Sequence, residues 1–452
     1  MNISENIKNI YLLGIGGIGM SALARYFKAN AYNVAGYDRS TSPLTLQLEE
    51  EGIAVNYTDE ASQIGSEFLD KETTLLIYTP AIPADNAQRA RFTEAGFTLY
   101  KRSEVLGALS RKGKALCVAG THGKTTITTM LAYLLKMSSV GCNAFLGGIS
   151  VNFGTNLLLD TASPYIVIEA DEFDRSFLQL HPEIAVITAM DADHLDIYGD
   201  LSHLRQAFAQ FASQVVEGGK LFVHDGLQLE ERKPDAYYGI EKGDCYAYNL
   251  RKRDGRYLFD YHGEKGDIHD ILLGTPGRVN VDNAVAAIAV ALSVGVTAEE
   301  IRRSLPDFKG VQRRFNIHSE GKVIYIDDYA HHPQEIEATL KSVREMCGDK
   351  HLTVAFQPHL YSRTADFHLE FAQALSLADE VILLEIYPAR ELPVEGVDSE
   401  LIGKDISVPY IIVSKEEFPE YVYTHVKDGV FMTLGAGDID RFVPVFKSEF
   451  SE

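Results

Sequence analysis

The segment Gly120-Thr121-His122-Gly123-Lys124-Thr125-Thr126 stands between an apolar run, Ala115 to Ala119, and a stretch with helical spacing. Glycines in such a position let the backbone approach an anion, and the helix that follows presents N–H groups to negative charge. Lys124 is placed to reach the β- and γ-phosphates of a nucleotide, and the Thr125 hydroxyl can ligate Mg²⁺. The segment departs from G-x-x-x-x-G-K-[ST], because Val118 lies five positions before Gly123 and the upstream glycine is Gly120. It reads as a variant phosphate loop for ATP. A Mg²⁺ held only by Thr125 and phosphate oxygens needs a further acidic ligand at the end of a neighbouring strand. Glu169, closing the run Tyr165 to Ile168, fits. Asp171, Glu172 and Asp174 lie further along and read equally as ligands or as a solvated acidic turn. The run Ile184 to Thr188 leads to Asp191, Asp193, His194 and Asp196 at the same edge, and His194 in that company is a second metal candidate.

An earlier glycine cluster, Gly14, Gly16, Gly17 and Gly19, follows an expected strand, Ile7 to Leu13, and opens a helix, with Asp38 nineteen residues after Gly19. This spacing suits a bound diphosphate, which NAD, FAD and UDP-sugars all carry. Toward the C-terminus stand Arg313-Arg314-Phe315, then Asp327-Asp328-Tyr329-Ala330-His331-His332-Pro333, then Gln357-Pro358-His359-Leu360-Tyr361-Ser362-Arg363-Thr364. Arginine clamps carboxylate or phosphoryl groups and imidazole exchanges protons near neutral pH. The blander readings are solvated arginines and helix capping by Asp327 or Asp328.

Elements that would hold these groups alternate along the chain. Strands are expected at 7–13, 32–37, 74–78, 98–100, 115–119, 165–168 and 184–188, and again at 323–326, 352–356, 381–385, 410–413 and 430–434. Helices are expected at 20–29, 88–95 and 282–294. Residues 1–112, 113–312 and 313–452 form three expected domains, in keeping with about 150 residues per domain. The net charge of −22, from 42 basic and 64 acidic side chains, repels polyanions at long range, so nucleic acid is not an expected partner. Any phosphate must be gripped locally. The four scattered cysteines lack metal-ligand spacing and suit a reducing compartment. Ile10 to Ala24 could pass for a signal-peptide core, but a strand and glycine turn explain it better, and no membrane span is expected. A cytoplasmic location follows as an expectation, and nothing in composition or spacing sets an oligomeric state.

GIGGIGMSALA (14–24), GTHGKTT (120–126), IEADEFDRSF (168–177), DADHLD (191–196), PGRVNVDNA (276–284) and LGAGDI (434–439), together with the C-terminal clusters, occur in an order that resembles the Mur ligases from Ile10 to Ile439. The resemblance implies a Rossmann-like N-terminal domain, a P-loop-type ATP-binding central domain and a Rossmann-like C-terminal domain, all α/β. It implies an ATP- and Mg²⁺-dependent ligase that joins L-alanine to the lactyl carboxylate of UDP-N-acetylmuramate through an acyl phosphate. Members that add a murein tripeptide to the same sugar are the alternative within the family, and an NAD-dependent dehydrogenase is the alternative outside it. The family pattern would set Gly16, Gly17, Gly19 and Asp38 at the UDP-sugar, and Gly120 to Thr126 at ATP. Thr125, Glu169 and His194 would hold Mg²⁺. Asn283 would meet adenine, with Asn280 as its competitor, and Asp328 the ribose. Arg314 would reach the phosphates, while Tyr329, His359 and Arg363 would place the amino acid. Residues 136–145 and the VNVDN run depart from the commoner pattern.

Overall fold

The computed structural model describes residues 6–191, 195–253, 255–389 and 391–451. Short apolar runs become strands covered on both faces, and the amphipathic stretches between them become the covering helices, as parallel sheets require. Among the described residues the strands form three sheets. The first holds β1 (Asn9–Leu13), β2 (Asn33–Tyr37), β3 (Ala54–Asn56), β4 (Thr74–Tyr78) and β5 (Leu99–Lys101), all parallel in the order β3-β2-β1-β4-β5. Strand order reverses beside β1. Such a reversal opens a crevice at the carboxyl ends of the strands, and the first glycine cluster leaves β1 there.

The second sheet holds β6 (Lys114–Ala119), β7 (Asn143–Phe145), β8 (Leu157–Leu158), β9 (Tyr165–Ala170), β10 (Ile184–Ile187), β11 (Lys220–His224), β12 (Ala236–Ile240), β13 (Cys245–Arg253), β14 (Arg256–His262) and β15 (Ile268–Leu272). Their order is β15-β14-β13-β12-β11-β10-β6-β9-β7-β8. β6 lies between β10 and β9, both parallel to it, with Ala119 in register with Ile187 and Ala170. The three strands therefore end level, and the segments that follow them begin at one edge. β7, β8 and all the strands from β11 to β15 are additions to the sequence expectation.

By packing, the chain falls into two compact units: 1–249 with 259–271 and 282–308, and 250–258 with 272–281 and 309–452. Within the first unit one hydrophobic cluster runs from Ile10 and Leu12 through Leu109 to Cys117, Ile168 and Phe177. The helix Ile18–Ala29 is pinned further by polar contacts. Arg25 binds the Glu51 carboxylate at 2.7 Å and donates to Asn156 Oδ1 at 2.5 Å. Asn156 is fully buried and donates in return to the Ile18 carbonyl at 2.6 Å and to Ser21 Oγ at 2.9 Å. A buried guanidinium is tolerable only with partners of this kind.

In the second unit β16 (Asn316–Glu320), β17 (Val323–Asp328), β18 (Leu352–Phe356), β19 (Glu380–Leu383), β20 (Tyr410–Ile412) and β21 (Gly429–Leu434) form a sheet in the order β16-β17-β21-β18-β19-β20. Only β16 pairs antiparallel among them. On one face Tyr325 packs against Phe431 and Phe446. His318 rests on Tyr325 with ring centroids 5.2 Å apart, and burial, aided by Lys447, lowers its pKa to about 4. The unfolded chain protonates this imidazole near its ordinary 6.5. Its contribution to stability is therefore complete above that pH and is lost as pH falls toward 4. We expect His318→Phe to flatten the fall of the unfolding midpoint across this window. An acid limb unchanged from the parent would contradict the assignment.

Candidate active site

The phosphate loop takes its shape from its glycines. Gly120 has φ +136°, and a Cβ there would fall 2.0 Å from Thr188 Oγ1. Gly123 has φ +80° and precedes the helix Lys124–Lys136 without a side-chain cap. The first helical bond runs from Ile127 N to Gly123 O at 3.0 Å, so the amides of the opening turn, including those of Lys124, Thr125 and Thr126, point out of the helix end. Around them Thr121 N donates to Ala189 O at 3.1 Å, Thr188 Oγ1 donates to His122 O, and His122 Nε2 stands 3.6 Å from Asp191 Oδ2. The loop is thus tied to the end of β10. Asn283, 8% exposed, places Oδ1 3.0 Å from where a Gly123 Cβ would be, beside the loop. Asn280 donates instead to the Pro276 carbonyl at 2.6 Å.

Lys124 Nζ donates to Gly120 O at 2.6 Å and to Glu172 Oε1 at 2.9 Å, with Glu172 Oε2 2.8 Å away in the same ion pair. Burial pulls the ammonium down, but Glu172, Asp171 and Glu169 outweigh it and hold its pKa above the ordinary lysine value. The solvated-turn alternative fails for Glu172 alone, since Asp171 and Asp174 keep side chains 37% and 33% exposed. Glu172 is only 1% exposed, Asp174 binds Lys101 Nζ at 2.7 Å, and Asp171 lies 3.5 Å from Arg102 Nη2. The backbone explains the misreading, since Asp174 and Arg175 have φ of +52° and +54° and break any helical face. Glu169 lies in β9 opposite Val118, one residue before the strand ends. Its carboxylate lies flush on Gly147, where a Cβ would come within 2.1 Å of Oε2. His194, the remaining metal candidate, lies outside the described residues, as does Asp193. Among the described residues no group of three or more His, Cys, Asp or Glu is arranged to hold a metal. The hard oxygens of Thr125 and Glu169 do suit Mg²⁺, which keeps waters and takes most of its other ligands from substrate phosphates.

The first glycine cluster is held partly by the protein itself. Asp38 Oδ2 accepts from Gly16 N at 2.8 Å, and Gly17 N donates to Gly14 O at 3.2 Å. Asp38 therefore shapes the loop with its carboxylate. The donors left for an anion lie one step later, at Ile18, Gly19 and Met20, ahead of the first helical bond from Ser21 N to Gly17 O. They border a cleft of about 200 Å³ lined also by Arg102, Gly147, Glu169 and Asp171. Arg102 is a residue that motif reading passed over, and Glu172, considered there as a metal ligand or a solvated acid, is instead the partner of Lys124.

In the second unit the C-terminal clusters converge at the ends of β17, β18 and β21, where Asp328 and Phe356 both stand in register with Leu434. Asp328 is not a helix cap. It accepts from Phe315 N at 2.6 Å and Ala330 N at 2.7 Å, pinning the two turns that carry Arg314 and His331. Burial raises its pKa to about 6 against the pull of Arg314. Asp327 accepts from Thr433 Oγ1 at 2.8 Å and faces Arg313 at 3.4 Å. Both Arg313 and Arg314 stack over Tyr329 at 5.1 Å. His331 contacts Glu335 at 3.3 Å and meets His359 edge-on at 5.9 Å, while His359 stacks on Tyr387. Leu360 has φ +72° between His359 and the helix Tyr361–Leu375 that carries Arg363, a strained conformation of the sort that gathers at functional sites.

Known proteins give the same picture. Residues 9–114 match the Mur ligase family catalytic domain, 118–291 the Mur ligase middle domain, and 313–437 the Mur ligase glutamate ligase domain. A UDP-N-acetylmuramate–L-alanine ligase of Phocaeicola vulgatus is 50% identical over 447 residues, 97% of each chain. One from Flavobacterium johnsoniae is 44% identical over 100% of both. The crystal structure of UDP-N-acetylmuramate–alanine ligase from Thermotoga maritima shares 30% identity and a TM-score of 0.83, covering 98% of this chain and 99% of its own. A murein peptide ligase from Psychrobacter arcticus, at 21% identity and TM-score 0.72 over 98% and 99%, shares the fold. Matched in all three of its sheets by family domains and over nearly its whole length by relatives up to half identical, the chain belongs to the Mur ligase family.

Proposed function

We propose that this chain is an ATP-dependent ligase that joins L-alanine to the lactyl carboxylate of UDP-N-acetylmuramate, releasing ADP and phosphate, as a cytoplasmic step in peptidoglycan precursor synthesis. The functional division follows the sheets, with 1–112 taking the UDP-sugar, 113–312 the ATP and 313–452 the amino acid. The observation that carries this reading is the uncapped phosphate loop with Lys124 held among Glu169, Asp171 and Glu172, in a chain nearly half identical throughout to relatives named for that reaction.

The chemistry asks one anion to attack another. A lactyl carboxylate oxygen bonds to the γ-phosphorus of ATP as the bond to the ADP oxygen breaks, giving an acyl phosphate. The alanine amine, once it has lost a proton, adds to that carbonyl, and phosphate leaves with the carbon–oxygen electron pair. Mg²⁺ held by Thr125, Glu169 and, in the family pattern, His194 would neutralise charge between the reacting anions. Lys124 supplies fixed positive charge at the phosphates. Gly120 O and Glu172 together orient the ammonium and leave a donor for the nucleotide. Asn283 takes the adenine, Asp328 the ribose, and Arg314 reaches the phosphates. Tyr329 and Arg363 hold the amino acid, and His359 receives its ammonium proton.

Phosphate release with ATP, Mg²⁺ and UDP-N-acetylmuramate tests the reading, with L-alanine, glycine, serine or a murein tripeptide supplied in turn. Release with L-alanine is expected, and release with the tripeptide alone would assign the chain to peptide recycling. Lys124→Ala should lower turnover by at least about 10²-fold, as loss of one preorganised charge donor does elsewhere. Near-parental rates in a folded variant would remove the loop from the mechanism. Glu172→Ala should reduce kcat/KM for ATP by about 10-fold or more, the worth of one charge-assisted hydrogen bond, with Glu172→Gln between it and the parent. Parental kinetics in both would make the ion pair merely structural. Glu169→Ala should shift the Mg²⁺ titration to higher concentration, and an unshifted curve would deny it a ligand role.

A further inference from the structure

Arg102 belongs to none of the motifs, yet it lines the cleft beside the first glycine loop. It is the first residue of the helix Arg102–Ser110, directly after β5, and its side chain is 24% exposed. The guanidinium lies on Gly19, where a Cβ would fall 2.5 Å from Nη1 and 2.9 Å from Cδ. The absence of a side chain at Gly19 thus leaves room for this arginine as well as for a ligand at the backbone. Among the described residues the one polar partner of the guanidinium is Asp171, 3.5 Å from Nη2. A close ion pair lies nearer 2.7–2.9 Å, and a guanidinium has five N–H donors to place. Lys101, its neighbour, is already engaged by Asp174 at 2.7 Å.

A largely buried cation therefore faces the 200 Å³ cleft with most of its donors unspent. The other walls are the open N-terminus of the helix Ile18–Ala29, the backbone of Gly147, and Glu169. Planar donors in a fork, backbone N–H groups beside them and room for a few heavy atoms suit a group with paired anionic oxygens.

We propose that Arg102 is a substrate-binding residue that exchanges its loose contact with Asp171 for a two-pronged grip on an anionic group of the sugar nucleotide. The proposal rests on the reading of the first glycine loop as the UDP-sugar site. Two groups of that substrate carry such oxygens, the diphosphate and the lactyl carboxylate. UDP-N-acetylglucosamine has the first and lacks the second, so it separates them.

The test is calorimetric titration of the full-length parent, Arg102→Lys and Arg102→Met with UDP-N-acetylmuramate and with UDP-N-acetylglucosamine, alongside MgATP as a check on folding. Arg102→Met should weaken UDP-N-acetylmuramate by about 10-fold or more while leaving the ATP affinity unchanged. Arg102→Lys, which keeps the charge and covers Gly19 but loses the fork, should fall between. Parallel weakening of UDP-N-acetylglucosamine assigns the grip to the diphosphate, and undiminished binding of that ligand assigns it to the carboxylate. Variants that bind both sugars as the parent does would overturn the proposal alone. A parent that binds neither sugar while still binding MgATP would overturn the proposal together with the glycine-loop reading beneath it.

Discussion

A lysine ammonium held charged inside the protein is the constraint around which the site is arranged. Removing Lys124 from water disfavours its charge, and three carboxylates at the end of β9 and just after it restore it. The same segment would bring Glu169 to the metal, so the groups that keep the lysine charged also attract its ionic partner. The chain carries a net charge of −22, which gives no long-range pull on ATP or a sugar nucleotide. Attraction must come at short range, from two open helix ends, Lys124 and a few arginines. The level ends of β6, β9 and β10 make this possible by starting their loops at one edge.

The same economy of means recurs in the C-terminal unit. A buried carboxylate, Asp328, spends its oxygens on backbone N–H groups and so fixes two turns at once. Arg313 and Phe315 have φ of +60° and +51°, conformations that cost energy and persist because Asp328 and the strand end hold them. The result is a pair of arginines, two imidazoles and an aromatic face gathered on adjacent strand ends.

Much of this was legible in the sequence because the glycine loops follow short apolar runs, Ile10 to Leu13 and Ala115 to Ala119, and a run buried on both faces has few other readings. Positions that depend on tertiary approach were not. Glu172 is one acid among several in a row, and two residues of positive φ remove the period that would assign it a face. Arg102 gains its meaning only from the closeness of Gly19. Asp38 sits where its spacing put it, yet its carboxylate grips Gly16. The strands β12 to β15 mix polar and charged residues with apolar ones, as in Arg256 to His262, and so lack the continuous apolar run that marks the strands beside the phosphate loop. Asn283 and Asn280 look alike in sequence, and only the position of the Asn283 side chain against Gly123 separates them.

The account comes down to a carboxyl oxygen of the sugar nucleotide becoming bonded to phosphorus at this loop. Turnover of UDP-N-acetylmuramate labelled with oxygen-18 in both lactyl oxygens, in the presence of unlabelled ATP and L-alanine, reads that bond directly by mass spectrometry of the released phosphate. The account predicts that the phosphate carries a single labelled oxygen. Amide formation accompanied by unlabelled phosphate would contradict it.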